Sequence, residues 1–320
     1  AAHDPRHPLT IDPLIQSTYL GGGGDDVIFA LALASNGEVL VAGNTYSTNL
    51  PGTTGGAQAA YAGSADGFVA RLSGNLQALV QSTYLSGSGG DHITALTLAS
   101  NGDVLVAGQT TSSDLPGTTG GAQAAKASGA DGFVARLSGN LQTLVQGSYL
   151  GGGGGDTIRA LALASNGDVL VAGSTSSSDL PGTAGGAQAA NAGNVDGFVA
   201  RLSGNLQTLV QGSYLGGSNG DVIYALALAS NGDVLVAGST YSSDLPGTAG
   251  GAQAAHAGGN GDGFVARLSG NLQTLQQSSY LGGSNGDYIN ALALASNGDV
   301  LVAGYTSSSD LPGTAGGAQA

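Results

Sequence analysis

Aspartate recurs along this chain of 320 residues at fixed positions of a repeated pattern, and its carboxylates are the first candidates for chemistry. One set precedes a hydrophobic segment in each of five repeats: Asp26, Asp91, Asp156, Asp221 and Asp287. Two further sets share this spacing: Asp66, Asp131, Asp196 and Asp262, and then Asn49, Asp114, Asp179, Asp244 and Asp310. Because Ca²⁺ prefers several carboxylate and carbonyl oxygens as ligands, the first set predicts a calcium site. The alternative is that the aspartates cap turns, or pair with the recurring Arg71, Arg136, Arg201 and Arg267.

A second candidate site comes from the few positions at which the otherwise similar repeats differ. Around the start of the hydrophobic segment these are Val27, His92, Thr157, Val222 and Tyr288, and then Phe29, Thr94, Arg159, Tyr224 and Asn290. After the next segment they are Asn44, Gln109, Ser174, Ser239 and Tyr305, and then Tyr46, Thr111, Ser176, Tyr241 and Ser307. A long loop adds Tyr61, Lys126, Asn191 and His256.

Side chains of this kind, which stack and form hydrogen bonds, are typical of recognition surfaces. The predicted ligand-binding residues, all on one face of the fold, are Tyr46, His92, Arg159, Tyr224, Tyr241, Tyr288 and Tyr305. Random drift at exposed positions is the alternative, but drift would vary both faces. The turns expected on the opposite face barely vary between repeats, which favours recognition.

No arrangement of residues predicts catalysis. The chain has four histidines: His3, His7, His92 and His256. They show no regular spacing to a serine or a carboxylate that would indicate a catalytic triad. The adjacent Asp25 and Asp26 resemble the paired carboxylates of a hydrolase, but their glycine-rich context is typical of a solvated turn. The sequence therefore predicts a protein that is not an enzyme.

Charge and composition exclude several classes of function. The net charge of −14, with only seven lysines and arginines, argues against nucleic acid as a partner. The absence of cysteine excludes disulfides and thiol chemistry. No stretch of 18 apolar residues predicts a membrane-spanning helix. The low charge, the abundant glycine and the Ala-Ala-His start, which suits signal-peptide cleavage, predict a secreted bacterial protein, extracellular or at the cell surface.

The repeat is about 65 residues long and predicts four strands per unit. Asn-Gly pairs begin at Asn36, Asn101, Asn166, Asn231 and Asn297. In the first repeat the predicted strands are IFALALAS, EVLVAG, GFVARL and LVQSTYL, with leucine and alanine alternating in the first. The Asn-Gly pair between the first two predicts a hairpin with a type I′ turn. A β-helix is the competing repeat architecture, but its coils are shorter and lack such hairpins.

We therefore expect an all-β fold, a five-bladed β-propeller of four-stranded antiparallel blades that forms a single domain over residues 1–320. The third strand occurs only four times, so the last blade needs completion. The predicted closing segment is an N-terminal arm, residues 1–13, whose strand comprises His7, Pro8, Leu9, Thr10 and Ile11. The arm can close its own ring or complete a neighbouring copy, and the second route gives self-association into a filament.

The repeat resembles a known family. The segments STYLGG, ALALASNGDVLVAG and DGFVARLSGNLQ are similar to the bacterial β-propeller repeat called SBBP, over residues 14–320. The resemblance implies exported, often cell-surface proteins with binding or structural roles. Members of the family are named for seven blades, whereas this chain has repeats for five.

Two functions follow from these observations as predictions. The first is a non-enzymatic, extracellular structural or adhesive protein that assembles into fibres by strand exchange. The second is a lectin-like module that binds a glycan or a surface protein through the variable face. Calcium is the one cofactor predicted.

Overall fold

The computed structural model describes residues 16–318, and the regular structure in this range is entirely β-strand. The first sheet contains β1 (Asp26–Leu33), β2 (Val39–Thr45), β3 (Asp66–Leu72) and β4 (Leu79–Leu85). The second contains β5 (Asp91–Leu98), β6 (Val104–Thr110), β7 (Asp131–Leu137) and β8 (Leu144–Leu150). The third contains β9 (Asp156–Leu163), β10 (Val169–Thr175), β11 (Asp196–Leu202) and β12 (Leu209–Leu215). The fourth contains β13 (Asp221–Leu228), β14 (Val234–Thr240), β15 (Asp262–Leu268) and β16 (Leu275–Leu281). The fifth contains β17 (Asp287–Leu294) and β18 (Val300–Thr306).

Each sheet is an antiparallel meander in which strands pair in the order of the sequence. The first strands of successive sheets lie side by side, β1 with β5, β5 with β9, β9 with β13 and β13 with β17. This β-propeller-like repeat confirms the predicted all-β architecture of four-stranded antiparallel sheets. Over residues 16–318 the fifth sheet has two strands and the five sheets do not close into a ring. Closure therefore stays a prediction, and the predicted closing residues 7–11 lie outside the described range. Within that range no helix has the length and hydrophobicity to cross a membrane.

The Asn-Gly pair forms the predicted hairpin, but the predicted type I′ turn is wrong. A type I′ turn needs a positive φ at both central residues. Gly37 has a φ of 84°, whereas Asn36 keeps a negative one. The Gly37 N–H donates to the Ala34 carbonyl (2.8 Å), and the Ala34 N–H donates to the Glu38 carbonyl (2.9 Å). The Asn36 side-chain oxygen instead accepts a hydrogen bond from the Glu38 N–H (3.1 Å). This bond stabilises the turn while the Asn36 backbone stays outside the left-handed region.

The hydrophobic core lies between the sheets. In one cluster, Leu40 and Leu85 of the first sheet pack with Phe133 and Tyr149 of the second. The same cluster recurs between the second and third sheets and between the third and fourth. Burying a large apolar side chain contributes about 1.5–3 kcal/mol, so each sheet depends on its neighbour for stability. The outer face of β1 has no such neighbour among the described residues, and Leu33 is 68% exposed.

A buried tyrosine in each fourth strand joins the sheet to the long loop. Tyr149 is 1% exposed, and its hydroxyl donates to the Ser112 carbonyl (3.0 Å) and accepts from the Leu115 N–H (2.9 Å). The equivalent residues Tyr84, Tyr214 and Tyr280 make the same two hydrogen bonds. The start of the long loop is therefore anchored to the fourth strand of its own sheet.

We expect Tyr149→Phe to lower the free energy of unfolding by about 1–3 kcal/mol, because it leaves two buried backbone groups without a partner. Urea denaturation followed by circular dichroism measures this. Tyr46→Phe is the matched control, since Tyr46 is half exposed, and it should change little. Equal stability of the two variants would contradict the bridging role.

The recurring arginines lie beside the acidic residue of the first turn, not beside the three aspartate sets that the sequence offered as one alternative. Arg201 Nε lies 2.9 Å from Asp168 Oδ2, and Arg71 Nε lies 2.6 Å from Glu38 Oε2. Arg201 also donates to the Gly270 carbonyl of the next sheet. Arg71 and Arg201 lie at the opposite end of their strands from Asp66 and Asp196. The strand register places both arginines opposite residues of β2 and β10 that are close to the turn.

Candidate functional site

A bulge at the same point of every first strand releases one residue from the strand ladder. In β1, Ile28 lies opposite Gly43 and Ala30 lies opposite Ala42, so Phe29 has no partner. The equivalent residues are Thr94, Arg159, Tyr224 and Asn290. Bulges commonly re-aim a side chain next to a functional site. One of the variable positions found in the sequence is therefore the position that the ladder leaves free.

A glycine opposite each bulge makes this geometry sterically accessible. These residues are Gly43, Gly108, Gly173, Gly238 and Gly304. A Cβ atom on any of them would lie 1.8–1.9 Å from a backbone carbonyl oxygen of the bulged strand. Any side chain there would push the two strands apart, so the glycine is a requirement of the site.

The five bulge residues meet around one cavity. They line a space of about 560 Å³ together with His92, Gln109 and Thr157. All five sheets contribute, because their first strands lie side by side. Residues separated by about 65 positions in sequence thus share one polar surface with two aromatic rings. No aspartate or glutamate is among the lining residues of this axial cavity, although the chain has 21 acidic residues.

Arg159 is held in the axial cavity by an aromatic ring. Its guanidinium carbon lies 5.4 Å from the centroid of the Tyr224 ring, within the range of a cation–π interaction. The backbone of this bulge is also fixed, since Thr94 Oγ1 donates to the Ile158 carbonyl (2.6 Å). In the described range no protein group accepts a hydrogen bond from this guanidinium, so the ring positions it while its donors stay available.

A tyrosine cluster lies on the fourth and fifth sheets. The rings of Tyr288 and Tyr305 stack with centroids 4.6 Å apart at 17°, and the Tyr241 and Tyr288 hydroxyl oxygens lie 2.6 Å apart. The hydrogen bond with Tyr241, together with burial, raises the pKa of Tyr288 above its usual value. Tyr241 and Tyr305 remain about half exposed, so the cluster presents aromatic faces to solvent. Tyr288 is two residues from the cavity-lining Asn290.

The first aspartate set caps the loop before each first strand. Asp156 is fully buried and accepts hydrogen bonds from the Gly152 N–H (2.8 Å), Ser177 Oγ (2.9 Å) and Thr175 Oγ1. Burial raises the pKa of Asp156, and it raises the pKa of Asp221 to about 6. These carboxylates therefore hold the loop before the first strand against the end of the second strand.

The other two sets are also used by loops. Asp66 accepts from the Ala62 N–H (2.8 Å) and the Gly63 N–H (2.9 Å) at the end of the long loop. Asp114 accepts from the Ser88 N–H (2.8 Å), and this hydrogen bond lowers the pKa of Asp114. Between residues 16 and 318, no three or more His, Asp or Glu side chains are grouped so that they could hold a metal ion. Calcium binding stays a prediction.

Not every predicted position joins the axial cavity. His92, Arg159 and Tyr224 line it, whereas Tyr46 is half exposed and lies outside its lining. The variable long-loop residues pack elsewhere, at the fourth strands: Tyr61 meets Tyr84, and His256 meets Tyr280, each edge to face with centroids 5.9 and 5.6 Å apart. The bulge residues therefore share the axial cavity, whereas Tyr61 and His256 do not line it, and the predicted single face stays a prediction. Phe29 and Asn290 complete the cavity although neither was among the predicted ligand-binding residues.

Comparisons with known proteins give structural neighbours only. No protein-family model matches the chain, and no curated protein matches it in sequence. One similar solved structure is a protein of unknown function from Dyadobacter fermentans, with 13% identity, a TM-score of 0.41, and coverage of 90% of this chain and 77% of the other. Another is a gluconolactonase from Xanthomonas campestris, with 11% identity, a TM-score of 0.39, and coverage of 86% and 68%. No activity is carried over from proteins this distant.

Proposed function

We propose that this protein is a five-bladed, non-enzymatic propeller of the SBBP type, exported by bacteria, that builds fibres or adhesive surfaces by strand exchange between copies. Two unmatched parts support the proposal. Over the described range, residues 16–318, the fifth sheet has β17 and β18 without the third and fourth strands of the other sheets. Residues 16–20 are exposed or half-buried outside any sheet, yet they repeat the QSTYL sequence of residues 81–85 in β4.

Tyr19 is the residue of this segment whose proposed contact with the fifth sheet can be specified best. It is fully exposed, whereas its equivalents in the complete sheets are 1% exposed and bridge two backbone groups of the long loop. In the fifth sheet the matching groups are the Ser308 carbonyl and the Leu311 N–H. Beside them is a groove of about 140 Å³ whose lining includes Val302 and Leu311. The groove has the apolar character that a tyrosine ring requires.

A second copy is the proposed source of the inserted segment. Among residues 16–318, β18 pairs only with β17, so its other edge offers N–H and C=O groups for an added strand, and Leu301 on it is 58% exposed. Such edges bind an added strand through main-chain hydrogen bonds. Because donor segment and acceptor sheet are at different places on the molecule, the contact is heterologous and propagates along a fibre.

A mixing experiment tests the exchange. Tyr19→Ala removes the donor tyrosine, and Leu311→Asp places a charge in the acceptor groove. Each variant alone should be monomeric by light scattering after size exclusion, whereas the wild-type protein should form larger species. An equimolar mixture should form a heterodimer and nothing longer, because only one donor and one acceptor stay intact.

Two other outcomes would contradict strand exchange between copies. Monomeric wild-type protein in which Tyr19→Ala lowers stability would show that the segment closes its own ring. Large species that persist without residues 1–13 and with Tyr19→Ala would contradict a role for this segment. Tyr46→Ala, another exposed tyrosine, is the control and should assemble like the wild-type protein.

A second function is supported by a separate observation, the axial cavity. Its five bulge residues differ between repeats while the surrounding backbone repeats. A lectin-like binding site would use this variety, and the nearby tyrosine cluster adds aromatic faces of the kind that sugars stack on. The non-enzymatic assignment is supported by the first aspartate set: Asp156, for example, caps a loop and does not line the cavity.

A further inference from the structure

Within the part of the chain that the structure describes, the axial cavity contains a cation that no acidic side chain neutralises. Among residues 16–318, the arginines of the third strands lie near an acidic partner, as Arg201 does with Asp168. Arg159 makes no ion pair within that range and rests against Tyr224. In a chain of net charge −14, a guanidinium in a cavity without carboxylates is a local site for an anion.

The chemistry of the lining narrows the anion. A planar guanidinium binds a carboxylate through two parallel hydrogen bonds. A single arginine suits a monoanion, since the surrounding negative charge opposes a phosphate or a polyanion. His92, Gln109 and Asn290 offer hydrogen-bonding groups for hydroxyls, and Phe29 and Tyr224 offer rings for an apolar sugar face. A volume of about 560 Å³ lies within the usual range for small-ligand sites.

We propose that the axial cavity binds a carboxylated saccharide, a uronate-bearing glycan, with the carboxylate on Arg159. This inference rests on the second proposed function and names its ligand class. The bulge is the structural basis, because it places Arg159 toward the axis at the point where the ladder leaves the residue unpaired.

The repeats supply variants that keep the fold. Arg159→Thr installs the residue that the equivalent bulge carries at Thr94, and Tyr224→Asn installs the one at Asn290. Lys126→Asn is the charge-matched control, because it removes one positive charge outside the cavity and installs the residue found at the equivalent Asn191.

Isothermal titration with a glucuronate-containing disaccharide and its neutral glucose counterpart tests the proposal. The acidic sugar should bind at least tenfold more tightly than the neutral one, and Arg159→Thr should abolish that preference. Tyr224→Asn should weaken both sugars, and Lys126→Asn should leave both unchanged. Added salt should weaken the acidic sugar selectively.

The outcomes separate this inference from the function on which it rests. Binding of both sugars with equal affinity, sensitive to Tyr224→Asn but not to Arg159→Thr, would overturn the carboxylate and leave a lectin-like site. No binding of either sugar would overturn both. A preference for the acidic sugar that Lys126→Asn removes as fully as Arg159→Thr would overturn the axial location.

Discussion

Replacing Gly173 with alanine is expected to lower the free energy of unfolding by about 3 kcal/mol or more, which is a large effect for the addition of one methyl group. The new Cβ would lie 1.9 Å from the Thr157 carbonyl oxygen and 3.0 Å from the Ile158 Cα. Both are backbone atoms of the bulged strand, so no side-chain rotation relieves the clash. The strands must separate, and the bulge that presents Arg159 must change shape.

Urea denaturation measures the loss, with Gly153→Ser as the matched control. Gly153 is in the loop before β9, and serine occupies the equivalent positions at Ser88 and Ser218. A Cβ there meets only the Asp179 carboxylate at 3.4 Å, so the control should be near neutral. If Gly173→Ala were as stable as Gly153→Ser, the close approach across the bulge would be absent in solution.

The internal repeat allowed most of the strands to be predicted from the sequence. The fourth strand was predicted as residues 79–85, which are the bounds of β4, because the turn before it marks where it begins. The first strand begins two residues earlier than predicted, at Asp26. A leading aspartate is unusual in a strand, but its backbone pairs with Thr45 while its carboxylate caps the loop. Alternation of apolar residues carries no information about such a dual role.

The bulge is the main feature that sequence reasoning missed. Strict alternation gave Phe29 an ordinary place in a strand, so its release from the ladder was not anticipated. The signal was present in the glycine of the neighbouring strand, Gly43, since an isolated glycine inside a strand pattern indicates a bulge or a close backbone approach. Variation between repeats had already singled out this position, because that signal does not depend on the predicted secondary structure.

Pairing between distant side chains was not predictable in the same way. The sequence offered three aspartate sets as partners of the recurring arginines, but their partners are the acidic residues after each Asn-Gly pair, and spacing along the chain did not distinguish these carboxylates. Strand register decides it, since Leu40, next to the first turn, is opposite Arg71. Likewise, all fourth-strand tyrosines look alike in sequence, and only the structure separates the exposed Tyr19 from the buried Tyr84.

The free energy of unfolding is expected to be higher at pH 5 than at pH 7.5, which is the reverse of ordinary acid destabilisation. Burial is the largest cause that raises the pKa of Asp91, Asp131, Asp156, Asp196, Asp221 and Asp262 above 3.8. A carboxyl with a raised folded-state pKa binds its proton more readily when folded. Its stabilising contribution is complete below the unfolded pKa and is lost as the pH rises through the folded pKa.

Asp221 allows the effect to be isolated. Its pKa is raised from 3.8 to about 6, because burial and the nearby charge of Asp196 outweigh the hydrogen bonds from Gly217 and Ser242. Integrated over this range, the proton contributes about 1–2 kcal/mol between pH 7.5 and pH 5 and about 3 kcal/mol at full protonation. Below pH 4 the gain ends, since carboxyls with lowered pKa values, such as that of Asp114, then become protonated and lose their hydrogen bonds.

Urea titrations at pH 5 and pH 7.5 measure this difference for the wild-type protein and two variants. Asp221→Asn should reduce the difference by about 1–2 kcal/mol, because the amide cannot titrate. Asp114→Asn should leave it unchanged, since Asp114 is already ionised throughout this range and Asn49 is its natural equivalent in the first repeat. Greater stability at pH 7.5 than at pH 5 in the wild-type protein would mean that the buried aspartates with raised pKa values are in fact ionised at pH 5. A loss of the pH effect in Asp114→Asn as large as in Asp221→Asn would locate its origin in the exposed loops instead.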